Sequence, residues 1–359
     1  MRWYAKSSGT TNDKSKFLPV TPEILKGCHY KGGFDTVSIY LQNNPDSHFF
    51  ASKGLILGGS HSPSPLNRNA HCGDLSAVLL QNLNPLVNLI RVPDKKIILM
   101  DEWESKIKAI VESTWKTDVN SLSGVPSWML VLIKAVLQKT GSEYLTDVWP
   151  NMEVFFHGGI SFEPYRDQYK ALIPSDRMHY METYNASEGF FGLQDNPEEH
   201  SLLLMIDYSV FYEFIPINEV GEEHPTVLPL EAVEVGKNYA MVITTSGGLW
   251  RYQIGDTVRF TSLYPHKFVI SGRTKNFINA FGEELMVDNA DKAISRVCRQ
   301  TGAKVKEYTA APLFMLDKAK GRHQWMIEFE KMPPSLDDFA SLLDKTLQQL
   351  NSDYEAKRY

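Results

Sequence analysis

The chain is poor in cysteine: Cys28, Cys72 and Cys298 are three in 359 residues, far apart and in no C-x-x-C pair. That argues against a disulfide framework or a zinc site and favours a reducing, cytoplasmic setting. Long apolar runs are also lacking. The longest, Trp128 to Ile133, stops at Lys134, so no membrane span is expected, and the opening MRWYAKSS carries no export signal. Positive charge is not in excess either: a net charge of −6 offers no global field for nucleic acid or anionic lipid. Internal repeats, heptads, a Walker A loop and a Ser-His-Asp or Cys-His pattern are missing. What is present, 43% hydrophobic and 11% aromatic residues, suits one large domain or two unequal ones.

Along the chain, Asp35 to Leu41 alternates as a strand would, and Leu75 to Ile90 is helical in spacing, broken at Pro85 and stopped by Pro93. In Asp101 to Lys116 the residues Trp103, Ile107, Ile110, Val111 and Trp115 form one core-facing stripe, with Lys and Glu on the other face. Pro126 opens an apolar helix through Leu137, and Gly141 ends it. Short β-type runs follow at 152–157, 179–184, 202–207, 210–215, 239–245 and 267–271. After Gly272 the spacing predicts a helix near 287–300, a strand at 323–330 and a helix at 335–350, a small α/β lobe.

Four glycine-containing polar constellations lie near these strand ends. The first, KSSGTTNDKSK (6–16), packs five hydroxyls and three lysines around Gly9. Its hydroxyls and backbone N–H groups suit phosphate oxygens, though such a stretch is also an ordinary solvated turn. The second, His157-Gly158-Gly159, either admits a flat ring or backbone closely or is simply a tight turn. The third, Tyr184-Asn185-Ala186-Ser187-Glu188-Gly189, offers an aromatic face, a hydroxyl and a carboxylate, or a satisfied strand-end turn. The fourth joins Gly248-Leu249-Trp250-Arg251-Tyr252-Gln253-Ile254-Gly255-Asp256 to Gly272-Arg273-Thr274-Lys275. A carboxylate at a glycine turn can accept two ribose hydroxyls, and a structural Asp256–Arg273 ion pair is the plainer reading.

Taken in order, SSGTT (7–11), HGGISFEPYR (157–166), YNASEG (184–189), RYQIGD (251–256) and GRTKNFINAFGEEL (272–285) resemble the auxin-responsive, Gretchen-Hagen-type acyl-acid amido synthetases, with GVPSW (124–128) like their bacterial members. These are a branch of the adenylate-forming, luciferase-like superfamily, and the resemblance covers essentially the whole chain. It implies an α/β fold with a large adenylation domain at 1–271, a hinge at 272–277 and a smaller α/β C-terminal domain at 278–359.

The resemblance also implies roles. Ser7, Ser8, Gly9, Thr10 and Thr11 would wrap the ATP phosphates with Lys14 nearby; Gly158, Gly159 and Tyr184 would line the adenine; Ser187 would approach the α-phosphate. Glu188 would hold Mg²⁺, Asp256 would take the ribose hydroxyls with Arg273 in support, and Lys275 would be the hinge. Ser8, Thr10, Lys14 and Glu188 would then be the catalytic set, acting on a small carboxylic acid and an amino-acid acceptor, with no nucleic-acid or membrane partner. Apolar helices between Leu75 and Leu137 would build the acyl pocket. Family members carry more chain before the phosphate loop and a lysine beyond the C-terminal helix, so an internal fragment with both domains truncated is the expectation. The rival readings are an acyl-CoA ligase of the phenylacetate type and a non-catalytic nucleotide-binding remnant.

Overall fold

The computed structural model describes residues 2–7, 16–63, 70–160, 162, 165–274, 277–278, 283, 285–313 and 321–357. The chain divides into two compact units, one of Met1–Ser7 and Phe17–Thr274, the other of Ser8–Lys16 and Lys275–Tyr359.

In the first unit the strands are β1 (Trp3–Ser7), β2 (Lys16–Pro19), β3 (Lys53–Ile56), β4 (His61–Pro63), β5 (His71–Gly73), β6 (Arg91–Val92), β7 (Val119–Gly124), β8 (Val154–Gly158), β9 (His179–Ala186), β10 (Gly189–Leu193), β11 (Leu202–Leu204), β12 (Val210–Pro216), β13 (Leu228–Pro229), β14 (Asn238–Thr245), β15 (Tyr252–Leu263) and β16 (His266–Arg273). Twelve of them form one sheet in the order β13-β12-β14-β15-β16-β11-β10-β9-β8-β7-β3-β6, and a smaller sheet runs β2-β1-β5-β4.

The large sheet changes character at β9. From β6 to β9 neighbouring strands are parallel, whereas β9 pairs antiparallel with β10 and the remainder is antiparallel throughout. Parallel strands are covered on both faces, and β7 and β8 are accordingly mostly buried. Their shared direction puts the carboxyl ends of β3, β7, β8 and β9 on one edge of the sheet, the usual place for ligands. Gly58-Gly59, Gly124, Gly158-Gly159 and Ser187-Glu188 all follow or close those ends.

Most expected elements form: the helices Leu75–Asn82, Trp103–Thr114 and Pro126–Thr140, the last ended by Gly141 in the left-handed region at φ +73°. The exception is Asp35 to Leu41, which is not a strand but part of the helix Lys31–Asn43. Its alternating Val37, Ile39 and Leu41 are only half-buried; the residues that enter the core are Gly32, Thr36 and Tyr40, four apart. Tertiary packing on that stripe outweighs the weak helix propensity of Thr36, Val37 and Ile39.

The second unit holds β17 (Phe277–Ile278), β18 (Leu285–Met286), the helix Val287–Thr301, β19 (Lys304–Leu313), β20 (Arg322–Lys331) and the helix Leu336–Leu350. Its core joins Ala293 and Val297 to Phe339, Leu343 and Leu347, with Trp325, Ile327 and Phe329 of β20 packed against them. Within it His323 Nε2 lies 2.8 Å from Glu283 Oε1, the buried partner.

Candidate nucleotide site

The YNASEG stretch is a hairpin tip rather than a turn over its whole length. Asn185 and Ala186 still belong to β9; Ala186 pairs with Gly189 and Asn185 with Phe190, leaving only Ser187 and Glu188 in the turn. A two-residue connection fixes the register of both strands, and hence the place of Glu188, which is 8% exposed. The Tyr252 hydroxyl is 3.4 Å from Glu188 Oε1, a long contact from the first residue of β15.

The RYQIGD stretch likewise differs from the expected glycine turn. Asp256 sits inside β15, directly opposite Arg273 on β16. Gly255, just before it, has φ +93°, a left-handed conformation that an L side chain resists. The Gly255 carbonyl accepts from Thr274 N at 2.8 Å, which closes the ladder around the pair. Arg273 Nε donates to Asp256 Oδ1 at 2.6 Å, while the Tyr184 hydroxyl donates to Asp256 Oδ2. Burial pushes the Asp256 carboxyl up in pKa, against the opposing pull of Arg273 and the Tyr184 hydrogen bond. Burial, then the Asp256 charge, likewise pushes the Tyr184 phenol well above its usual value. Tyr184 is itself a core ring, edge-on to Phe191 and Phe268.

Gly158 meets this group through the neighbouring strand pair, because it lies opposite Thr183 in the β8–β9 ladder. A Cβ at Gly158 would stand 2.2 Å from the Thr183 carbonyl oxygen, so only glycine allows that approach. Gly159 follows at φ +84°. Thus Gly158 on β8, Tyr184 on β9, Asp256 on β15 and Arg273 on β16 belong to one sheet, with β10 and β11 between β9 and β16 and with Ser187 and Glu188 in the hairpin turn. Ser7 is the last residue of β1. Ser8, Gly9, Thr10, Thr11, Lys14 and Lys275 lie outside the described residues.

Several buried polar residues have surroundings that a motif-based reading does not give. His157 is stacked on Phe162 at 4.3 Å, and burial, with the Arg166 charge, lowers its pKa to about 3. Lys106 interrupts the expected pattern of its helix: it is 2% exposed, and its Nζ donates to the carbonyls of Gly58 at 2.7 Å and Gly59 at 3.2 Å. The spacing of Lys106 beside Ile107 and Ile110 was its available signal. His29 contacts Asn185 at 2.9 Å, across 156 residues of sequence, and no local pattern announces that contact. Among the described residues no helix is long and apolar enough to cross a membrane.

Known proteins share this architecture. The structure superposes on the acyl acid amido synthetase GH3.15 with a TM-score of 0.62 at 17% identity, covering 98% of this chain and 70% of that one. It superposes on a 2-hydroxyisobutyryl-CoA ligase bound to 2-HIB-AMP and CoA with a TM-score of 0.59 at 12% identity, covering 99% and 68%. The fold is therefore that of the adenylate-forming enzymes, an α/β protein with a large sheet. Three family descriptions then match in succession: the GH3 family N-terminal domain over residues 1–178, the central domain over 203–273 and the C-terminal domain over 288–359. The chain belongs to the GH3 family. It is 28% identical over 337 residues to the indole-3-acetic acid-amido synthetase GH3.4 of Arabidopsis thaliana, an alignment covering 86% of this chain. The chain spans 53% of the length of that relative.

Proposed function

We propose that this chain carries an ATP-dependent adenylation site that activates a carboxylic acid as its acyl-adenylate, releases pyrophosphate, and passes the acyl group to an amine, an amino acid by preference, to form an amide. The observation that supports it is the buried Tyr184–Asp256–Arg273 group beside Gly158 and the Ser187–Glu188 turn, at the carboxyl edge of the parallel strands. Membership of a family whose named relatives are amido synthetases points the same way.

In this reading Asp256 accepts the ribose hydroxyls with Arg273 in support, Gly158, Gly159 and Tyr184 line the adenine, and Ser187 faces the α-phosphate. Ser7, Ser8, Gly9, Thr10 and Thr11, with Lys14, supply the phosphate donors. Glu188 is the carboxylate for Mg²⁺. Among the described residues no group of three or more His, Cys, Asp or Glu could hold a metal, and a single carboxylate suits an ion completed by phosphate oxygens and water. Bound there, Mg²⁺ would neutralise charge on the phosphates. The protein's own contribution is fixed donors and positioning, which for such chemistry supply most of the rate. Residues 1–271 form the adenylation domain, 272–277 the hinge around Lys275, and 278–359 the smaller domain; the boundary of the compact units at Thr274 falls within that hinge, whereas Ser8–Lys16 groups with the second unit.

Exchange of labelled pyrophosphate into ATP, dependent on a carboxylic acid from a broad panel, tests the first half-reaction. Acceptor use, glutamate or aspartate against coenzyme A, tests the second. Exchange that no acid supports sinks the proposal; a thiol acceptor in place of an amine converts it to an acyl-CoA ligase. Ser8→Ala and Asp256→Ala should each abolish exchange.

A further inference from the structure

The turn Leu25–Tyr30 is π-helical, set between the short helix Pro22–Ile24 and the helix Lys31–Asn43. Such turns are uncommon and recur at functional positions. Two consecutive residues of this one, both buried, reach the same hairpin. Phe190 N donates to Cys28 Sγ at 3.1 Å, and His29 Nδ1 lies 2.9 Å from Asn185 Oδ1. Phe190 and Asn185 are directly opposite each other in the β9–β10 ladder, one pair before the Ala186–Gly189 pair that closes the Ser187–Glu188 turn. The π turn therefore holds both strands of the hairpin at one level. The helix that follows is seated as tightly: a Cβ on Gly32 would stand 2.4 Å from the Phe190 ring.

The polarity of the histidine contact follows from its partner. An amide oxygen only accepts, so with Asn185 Oδ1 facing it Nδ1 carries the proton. Burial keeps His29 neutral, its pKa lowered to about 4. Nε2 is then a lone pair, buried and without a hydrogen-bond partner among the described residues. The imidazole's one satisfied polar atom is the one that orients Asn185.

We propose that the π-helical turn is a clamp on the Ser187–Glu188 turn, and that His29 is a positioning residue for Glu188, acting through the Asn185 side chain. This rests on the reading of Glu188 as the Mg²⁺-holding carboxylate. Groups that orient a ligating carboxylate from behind typically control metal affinity by about 10- to 100-fold.

Three replacements in the full chain separate orientation from packing. His29→Asn keeps an N–H at the Nδ1 position, His29→Gln moves it to the Nε2 position, and His29→Leu removes it. Mn²⁺ affinity is read by electron paramagnetic resonance with a non-hydrolysable ATP analogue present, beside the analogue's affinity in EDTA and thermal unfolding. The expected result is Mn²⁺ affinity within about twofold of wild type for Asn and a loss of about tenfold for Gln and Leu, with metal-free nucleotide affinity unchanged. An Asn variant as impaired as Leu overturns the clamp, as does unchanged Mn²⁺ affinity in all three or an equal loss of metal-free nucleotide binding. Should Leu fail to fold, Asn against Gln decides. Absence of nucleotide-dependent Mn²⁺ binding in the wild type overturns the clamp together with the Glu188 role; absence of acid-dependent exchange with Mn²⁺ bound rejects only the proposed reaction.

Discussion

Arg273 and Asp256 face each other across β15 and β16, with Nε 2.6 Å from Oδ1 and side chains only 19% and 9% exposed. A charge pair so buried is asymmetric in its dependence on each partner. Arg273→Ala strands a carboxylate that burial already disfavours, and is expected to cost about 3–5 kcal/mol; Asp256→Asn, which keeps shape and hydrogen bonding, should cost ~1–3 kcal/mol. Urea unfolding at pH 7 for both variants and the double mutant measures this. Equal, additive losses would show that the two side chains are not coupled.

Gly158 and Gly159 should fail for different reasons. In Gly158→Ala the new methyl meets the Thr183 carbonyl at 2.2 Å, backbone that cannot yield without parting β8 from β9. In Gly159→Ala the nearest atom, Val125 Cγ2, is 3.5 Å away, and only the left-handed φ of +84° is at issue, about 1–2 kcal/mol. Hydrogen exchange along β8 and β9 should accelerate locally in the first variant, beyond its effect on the rest of the sheet, and in the second should rise only with the global loss of stability.

Two buried histidines make stability depend on acid. The folded pKa of His29 is lowered to about 4 and that of His157 to about 3, both from an ordinary 6.5. Between those values the unfolded chain binds more protons than the folded one. Their contribution is therefore fully present above pH 6.5 and is lost as pH falls toward 4, by about 1.4 kcal/mol per unit for each histidine once the unfolded form is protonated. Unfolding free energies at pH 7.5, 6.0 and 5.0 should show this slope, and His157→Phe should reduce it by one proton's worth. An unchanged slope in that variant would contradict the assignment.

Lys106→Met keeps most of the side chain's length but withdraws the ammonium from the carbonyls of Gly58 and Gly59. One buried and one part-buried acceptor then lose a charged donor, and a destabilisation of about 2–3 kcal/mol is expected in chemical denaturation. A neutral or stabilising result would show that the cost of burying the ammonium had cancelled its hydrogen bonds.

Local chemistry was legible wherever one short stretch carries it. Pro126 and Gly141 bound a helix because one lacks a donor at a position that needs none and the other accepts φ +73°. Asp35 to Leu41 misled because an alternating pattern records where apolar residues stand, whereas the fold buries Gly32, Thr36 and Tyr40 instead. The twelve-residue strand β15 also lay hidden, since Gly255 at φ +93° reads as a break but is accommodated inside the ladder as an irregularity.

The order of SSGTT, HGG, YNASEG and RYQIGD, and the residue types within them, are properties of the sequence alone, and they sufficed to define the family. Which atoms meet was decided by tertiary structure. Tyr184 reaches Asp256 over 72 residues and His29 reaches Asn185 over 156, through strand pairings and a π-helical turn that no local window contains. Local propensity governs elements of a few residues, whereas the burial that depresses His157 or raises Asp256 exists only after distant segments have excluded water together.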